Sequence, residues 1–429
     1  MSLSYKVIGG YPISGKITPS GNKNAALPII SASLLTDEKI ILTNIPNISD
    51  VSVQFNILKK LGANIDYNRK KHRAIIKADK INTYKLEKQD VLKTRGSILF
   101  LGALIGRKGK AQVWSPGGCS LGKRPVDNYL LALEKLGAKI EVEENCYKVD
   151  ATNLQGARVW QTEKAVTGTE NTIMAAVLTK GETVIINAAS EPHIQDLCKF
   201  LNKMGAKITG IGSDTLHIVG VNELHGTEYE ISYDFMEVAT FIVAAGITGG
   251  ELIIENIDTS HMEMILNEFA KLGLRAKITK NSIYIPPNQS LKIRSYLDGT
   301  MNKIECLPWP GFQADVLQFA ITLATQAKGK ILIHDKMYEG RLFYVSELIS
   351  MGAEIFMADP HRIIVFGPTK LKGRVLKSPD IRAGMSLLLA ALAAEGESII
   401  ERGEIIERGY ENIEEKFRSL GANIKRISQ

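Results

Sequence analysis

Six variants of one short phrase recur along this chain of 429 residues, and their spacing limits what it can fold into. They are Leu61-Gly62-Ala63-Asn64-Ile65, Leu136-Gly137-Ala138-Lys139-Ile140, Met204-Gly205-Ala206-Lys207-Ile208, Leu272-Gly273 running to Ala276-Lys277-Ile278, Met351-Gly352-Ala353-Glu354-Ile355 and Leu420-Gly421-Ala422-Asn423-Ile424. Successive glycines lie 68 to 79 residues apart. Each phrase follows an amphipathic stretch, such as 126–136 or 413–420, and leads into a short alternating apolar segment. A glycine just past a helix takes the left-handed conformation that closes it, and the chain then enters a strand. Upstream in each unit runs a second helix-like segment rich in Ala, Leu and Ile, then a Gly-containing turn and a β-branched strand, as in 175–178 before 183–186.

A unit of about 70 residues with two helices is too long for a solenoid repeat and reads as a supersecondary block that shares its core with its siblings. Three units per domain give two domains of about 200 residues each, an α/β chain. The division falls near 229–232. The opening strand segment, 5–17, precedes the first unit and is assigned to the C-terminal half, so that the chain crosses between domains twice. The expected domains are therefore 22–231, and 1–21 with 232–429.

Composition narrows the classes. The first residues lack the apolar core of a signal peptide and no apolar run reaches membrane-spanning length, so a cytoplasmic protein is expected. Four cysteines without paired short spacings suit a reducing compartment, and seven scattered histidines offer no metal-ligand spacing, so no metal is expected. The net charge of +7 comes from Lys and Arg spread along the sequence, which fits a small phosphorylated substrate and gives no nucleic-acid stripe.

The most pointed chemistry lies in Pro116-Gly117-Gly118-Cys119-Ser120-Leu121-Gly122-Lys123-Arg124-Pro125. Glycines let the backbone approach a ligand, and two cations lower a thiol pKa and attract anions. Cys119 is either a small inert thiol or a proton donor and nucleophile. In Ser20-Gly21-Asn22-Lys23-Asn24-Ala25-Ala26-Leu27-Pro28, polar residues precede an apolar run, so Lys23 either sits exposed beside a helix cap or adds its charge to an anion-binding helix start. Asp315, after Leu307-Pro308-Trp309-Pro310-Gly311-Phe312-Gln313-Ala314, either caps the helical run 316–327 or serves as a general base. Arg95, Arg341, Arg382 and Arg408 are either surface arginines or the lining of an anion cleft. Asp234 and Glu237, like Glu191-Pro192-His193, are read either as contacts to sugar hydroxyls or as a solvated helix start.

Together the segment around Lys23, the Cys119 loop, the turn from Gly311 to Asp315 and Glu407-Arg408-Gly409-Tyr410-Glu411 resemble, in order over 5–427, the enolpyruvyl transferases of the EPSP synthase/MurA family, in the branch that acts on UDP-N-acetylglucosamine. The resemblance implies two inside-out α/β domains, each of three βαβαββ-type units, with the active site in the cleft between them. It implies transfer of the enolpyruvyl group of phosphoenolpyruvate to the 3-hydroxyl of UDP-N-acetylglucosamine with release of phosphate, the first committed step toward peptidoglycan. Addition and elimination proceed through a tetrahedral ketal, with no metal or organic cofactor. Partners are the two small-molecule substrates, with no nucleic acid and no membrane.

By the same resemblance Lys23, Asn24, Arg124, Arg382 and Arg408 bind phosphoenolpyruvate, and Lys23 and Arg408 are catalytic. Cys119 is the proton donor, on a closing lid, and the target of fosfomycin, while Asp315 takes the hydroxyl proton. Asn24, Arg95, Arg124, Pro125, Val126, Asp127, Asn128, Lys164, Ala165, Val166, Thr167, Asp315 and Met337 contact the nucleotide sugar. The chain departs from the family at Tyr129, where histidine is common, at Ala314, commonly threonine, at His193, commonly acidic, and at Tyr233, commonly proline. A paralogous transferase with another nucleotide acceptor and a non-catalytic nucleotide-sugar-binding regulator are the competing readings. The shikimate-pathway transferase shares the fold and lacks the cysteine loop.

Overall fold

All six glycines of the repeated phrase adopt left-handed backbone, at φ between +89° and +110°. Each closes a helix that a side chain with a Cβ would close less readily, and a strand follows. The computed structural model describes residues 3–117 and 125–428. These divide into two compact units, one of 21–117 with 125–232 and one of 3–20 with 233–428.

The third repeat shows the pattern in full. Strand Arg158–Trp160 leads through helix Val166–Ala176 to strand Glu182–Ile186, which lies parallel to the first. Helix Pro192–Lys203 then returns the chain to the hairpin Lys207–Thr209 and Thr215–Val219, antiparallel to Glu182–Ile186. A parallel pair needs a crossover, and the first helix supplies it. The fifth repeat follows the same order, from Lys303–Glu305 through Ala314–Thr325 to the hairpin Glu354–Asp359 and Arg362–Gly367. Helical runs read at 175–178 and 316–327 extend further upstream, to Val166–Ala176 and Ala314–Thr325, because Thr and Gln positions that look polar are buried.

Five of the resulting sheets have four strands and one has three. In the three-stranded sheet, Lys85 makes an isolated parallel bridge to Gln112 where the sister sheets place a full strand. Strand Leu3–Ile8 sits between Glu397–Glu401 and Asn423–Ser428, and Gly15–Ile17 runs parallel to Leu252–Glu255. Glu228–Glu230 pairs with Lys39–Thr43 and completes the first sheet of the other unit.

Each unit has its own apolar core. In the 233–428 unit the helices Phe235–Thr248, Ala314–Thr325 and Ile381–Ala393 pack on one another and are buried almost all round, while the strands alternate buried and exposed residues. Helices apolar on every face belong inside, and half-buried strands belong outside. In the other unit helix Phe100–Lys108 crosses Val166–Ala176 so closely that a Cβ on Gly102 would lie 2.3 Å from the Asn171 carbonyl oxygen. The Asn171 side chain accepts a hydrogen bond from the Gly102 N–H at 2.7 Å at the same point. No helix among the described residues is long and apolar enough to cross a membrane.

Candidate active site

The 21–232 unit gathers its candidate residues at helix starts. Asn22 caps Lys23–Ala32, accepting from the N–H groups of Asn24 at 2.8 Å and Ala25 at 3.3 Å. The cap fixes the first turn, so the Lys23 side chain leaves from a rigid base. It is buried, contrary to the exposed-lysine reading, and its Nζ lies 2.7 Å from Asp50 Oδ2. Thr94 Oγ1 donates to the same oxygen at 3.0 Å. Asp50 thus sets an opposite charge against the buried ammonium, which offsets part of the cost of its burial.

Arg95 follows Thr94 directly and opens the turn Arg95–Leu99, which Gln54 ties down through a 2.8 Å bond to the Gly96 carbonyl. Its guanidinium donates to the Tyr129 hydroxyl at 3.1 Å. Tyr129, at the position where the family commonly has histidine, is buried in helix Asp127–Lys135. One residue back, Asn128 donates to Glu163 and accepts from Thr162 Oγ1 at 2.7 Å. Gly168 faces the Tyr129 ring, 3.0 Å from where its Cβ would be. Arg95, Asp127, Asn128 and the half-buried run Lys164, Ala165, Val166 and Thr167 are thus brought together around Tyr129. Pro125 is exposed and Val126 is buried. Cys119 and Arg124, like the rest of 118–124, lie outside the described residues. The flanking Gly117 lies against the backbone of Leu92, with the carbonyl oxygen 2.1 Å from an added Cβ.

The second group belongs to the 233–428 unit. Gln313 occupies the cap position of helix Ala314–Thr325, and Asp315 sits inside the first turn, so the cap reading of Asp315 does not hold. Its Oδ1 accepts from Arg341 Nη1 at 2.7 Å and its Oδ2 from Arg382 Nε at 3.3 Å. Burial pushes the carboxyl up, but the two guanidinium charges outweigh it and hold Asp315 well below the usual carboxylate range. About a third of its side chain, 30%, still faces solvent, whereas Arg341 and Arg382 retain 3% and 8%. Neither is a surface arginine.

Their neighbours fix both guanidinium groups. Arg341 lies over the Tyr338 ring at 4.1 Å. Arg382 stands in the first turn of Ile381–Ala393, capped by Asp380, with the Tyr410 ring 5.3 Å away. Burial pushes the Tyr410 phenol up to about 12, and its hydroxyl meets Thr240 Oγ1 at 3.1 Å. Arg408, half-buried, is in the turn after Gly403–Ile406, and Gly409 presses on Ile381 with 2.5 Å from an added Cβ to Cγ2. Fully buried Asp335 shapes the turn that presents Met337, 39% exposed, by accepting from the Met337 and Tyr338 N–H groups at 2.9 and 3.1 Å.

Asp234 and Glu237 are buried, so the solvated-helix-start reading fails. Asp234 caps Phe235–Thr248, and Glu237 pairs with Lys416 and accepts from the Ser20 N–H at 3.1 Å. His193 is buried in the first turn of Pro192–Lys203. Asp50, Thr94 and Asp335 were not singled out in the sequence. Asp50 had a signal there: Asp50, Glu191 and Asp258 recur where the second helical segment begins in three of the repeats. Among the described residues no group of three or more His, Cys, Asp or Glu side chains is placed to hold a metal ion.

Comparison with known proteins adds identity to this geometry. The model of the EPSP synthase (3-phosphoshikimate 1-carboxyvinyltransferase) family matches residues 7–417. UDP-N-acetylglucosamine 1-carboxyvinyltransferase of Borreliella burgdorferi is 47% identical, over 99% of each chain. The enzyme of the same name from Treponema denticola is 45% identical, over 98% of each. Among solved structures, the enolpyruvyl transferase NikO from Streptomyces tendae covers 100% of this chain and 99% of its own at a TM-score of 0.89 and 22% identity. EPSP synthase from Acinetobacter baumannii covers 100% of both at 0.77 and 18%. At those identities the two structures establish the fold.

Proposed function

The chain belongs to the EPSP synthase family, and we propose that it is the enzyme that transfers the enolpyruvyl group of phosphoenolpyruvate to the 3-hydroxyl of UDP-N-acetylglucosamine, releasing phosphate. The observation that carries the reading is the likeness, at 47% identity over 99% of the chain, to an enzyme named for that reaction. It is a cytoplasmic step of peptidoglycan synthesis.

The residues divide the work by charge. Lys23, paired with Asp50, and Arg124 and Arg408 hold the phosphate and carboxylate of phosphoenolpyruvate and offset the charge that develops there. Cys119 gives a proton to C3 of the enol. The acceptor oxygen bonds to C2 while Asp315 takes its proton, forming a tetrahedral ketal. Loss of a proton from C3 and cleavage of the C2–O bond then release phosphate and leave the enolpyruvyl ether. Asn24, Arg95, the residues 125–128 and 164–167, and Met337 position the nucleotide sugar.

Asp315 is a poor base while both arginines hold it, because so acidic a carboxyl binds a proton weakly. Arg382 also binds phosphoenolpyruvate in this reading, so the carboxylate of that substrate competes with Asp315 for its guanidinium. Asp315 therefore becomes basic enough only when the first substrate is in place, which suppresses proton transfer in its absence.

The test is phosphate release by the purified protein with both substrates. Release that needs both, and a product carrying the enolpyruvyl ether, supports the reading. No release with this acceptor but release with another uridine nucleotide moves the assignment to a paralogue. Saturable binding without turnover leaves a nucleotide-sugar-binding protein. Covalent labelling of Cys119 by fosfomycin, lost in Cys119→Ala, checks the thiol's role.

A further inference from the structure

A cavity of about 320 Å³ in the 233–428 unit adjoins the Asp315 pair through Arg341 and is otherwise lined by residues given no part in the reaction above. Its wall includes Arg341, Phe343, Tyr344, Lys377, Asp380 and Arg402. Lys377 and Arg402 are exposed, and neither side chain has an ion-pair or hydrogen-bond partner among the described residues. Two acids are close. Asp380 directs Oδ1 at the N–H groups of Arg382 and Ala383, at 2.8 and 3.0 Å, and Glu347 is half-buried in helix Val345–Ser350. Asp380 keeps its negative charge while it caps the helix, and Arg341 is paired to Asp315, so Asp380 and Glu347 stand on the wall with Lys377 and Arg402, the two cations left without a side-chain partner among the described residues.

The backbone supplies an independent observation. Arg402 is left-handed, at φ +58°, immediately after strand Glu397–Glu401. Three other repeats place a left-handed residue at the same point, directly after their second strand, and in each it is asparagine: Asn44 at +54°, Asn187 at +59° and Asn256 at +60°. Asparagine tolerates this conformation through its short polar side chain, whereas arginine adopts it at a cost. A long cation held there, on the wall of a cavity that a second unpaired cation also lines, is a feature the fold itself does not require.

We propose that the cavity binds a phosphate dianion between Arg402 and Lys377, at a site separate from the reaction centre. Planar guanidinium and ammonium donors suit phosphate oxygens, and one of each lines this space. The Phe343 ring, 55% exposed on the wall, offers an apolar face to the organic part of a phosphate monoester. Arg341 belongs both to this wall and to the Asp315 pair, so an occupant of the cavity competes for a guanidinium that Asp315 uses.

Calorimetric titration with inorganic phosphate tests this on the full chain. The wild type is expected to show two binding events, one at the cavity and one at the reaction centre. Arg402→Asn, which installs the residue used by three sister repeats, and Lys377→Gln are each expected to weaken one event about tenfold or more. A thermal melt checks that both variants fold. Arg408→Gln is expected to leave the cavity event in place; if it also spares the second event, that bears on the proposed function alone. A single event in the wild type that neither Arg402→Asn nor Lys377→Gln alters, or both events intact in either variant, overturns the proposal. Phenyl phosphate distinguishes the source. Tighter binding than inorganic phosphate, lost in Phe343→Ala, identifies an organic monoester, and equal binding identifies free phosphate.

Discussion

At Asp315 burial and two neighbouring cations act in opposite directions on one carboxyl, and the cations win. Its pKa in the folded chain lies below the ordinary value. The stability it contributes is therefore complete above the ordinary carboxylate range and is lost only as pH falls through the depressed value. Removing one cation shifts the balance. Arg341→Gln is expected to raise the Asp315 pKa toward the ordinary carboxylate value and so to move the acid limb of the kcat/KM profile to higher pH, as initial rates followed down to about pH 3 would show. An acid limb left in place would mean that Arg341 does not set the ionisation of Asp315, or that Asp315 does not govern the rate. Glu170 presents the reverse case. It is buried in helix Val166–Ala176, and burial, then the charge of Glu191, raises its pKa well above that of a free glutamate. A raised pKa favours the protonated fold, so this contribution is present at low pH and is lost as pH rises through the folded value. Glu170→Gln is expected to melt higher than the wild type at pH 8, with the gain shrinking to nothing toward pH 4. Calorimetric melts across that range decide it. Lys23 was readable as a candidate because it stands in a polar run after a glycine, and Asp315 because it follows a turn of two prolines and a glycine and opens a helical run. The pairings they enter were not. Asp50 and Arg341 reach Lys23 and Asp315 only through the packing of separate elements, and sequence distance hides that.

Helices and strands were more legible than their partners, because the glycine closing each second helix leaves a mark in the sequence. Gly62, Gly137, Gly205, Gly273, Gly352 and Gly421 announce six helix ends, and all six are left-handed. The first helix of each repeat was harder to bound. In Val166–Ala176 the buried Thr169, Glu170, Asn171 and Thr172 look like a solvated turn, yet the side chains of Thr169, Asn171 and Thr172 bond back to the helix or across it, as Asn171 does to Gly102. Gly102 carries its own consequence. Helix Phe100–Lys108 meets Val166–Ala176 with no room for a methyl group against the Asn171 backbone. Gly102→Ala is expected to destabilise the protein by about 2–3 kcal/mol despite the gain in helix propensity, because backbone cannot yield as a flexible side chain does. A denaturant melt measures it. An unchanged midpoint would show that the two helices separate at little cost.

Across the whole molecule the repeat implied two halves of three units, and the described residues do form six sheets and two apolar cores. What the repeat could not convey is which cysteine is available, since that depends on burial in units far apart in sequence. Cys146, Cys198 and Cys306 are free and buried. Burial pushes the Cys198 thiol up to about 12, and burial together with the Asp335 carboxylate, which accepts from Cys306 Sγ at 3.1 Å, pushes the Cys306 thiol up to about 12. A thiol reacts as its thiolate and only where reagent reaches it, so these three are doubly protected in the case of Cys198 and Cys306 and sterically protected in the case of Cys146. Cys119, among glycines and beside Lys123 and Arg124, has neither protection in its sequence surroundings. A chromogenic disulfide reagent at pH 7.5 is therefore expected to modify one thiol per native chain rapidly, and all four after unfolding in guanidinium. Cys119→Ala is expected to abolish the rapid phase and leave three slow thiols whose rates follow global unfolding. A rapid phase that survives the substitution would locate the reactive thiol in a buried position, and the proton donor would then have to be sought outside the Cys119 loop.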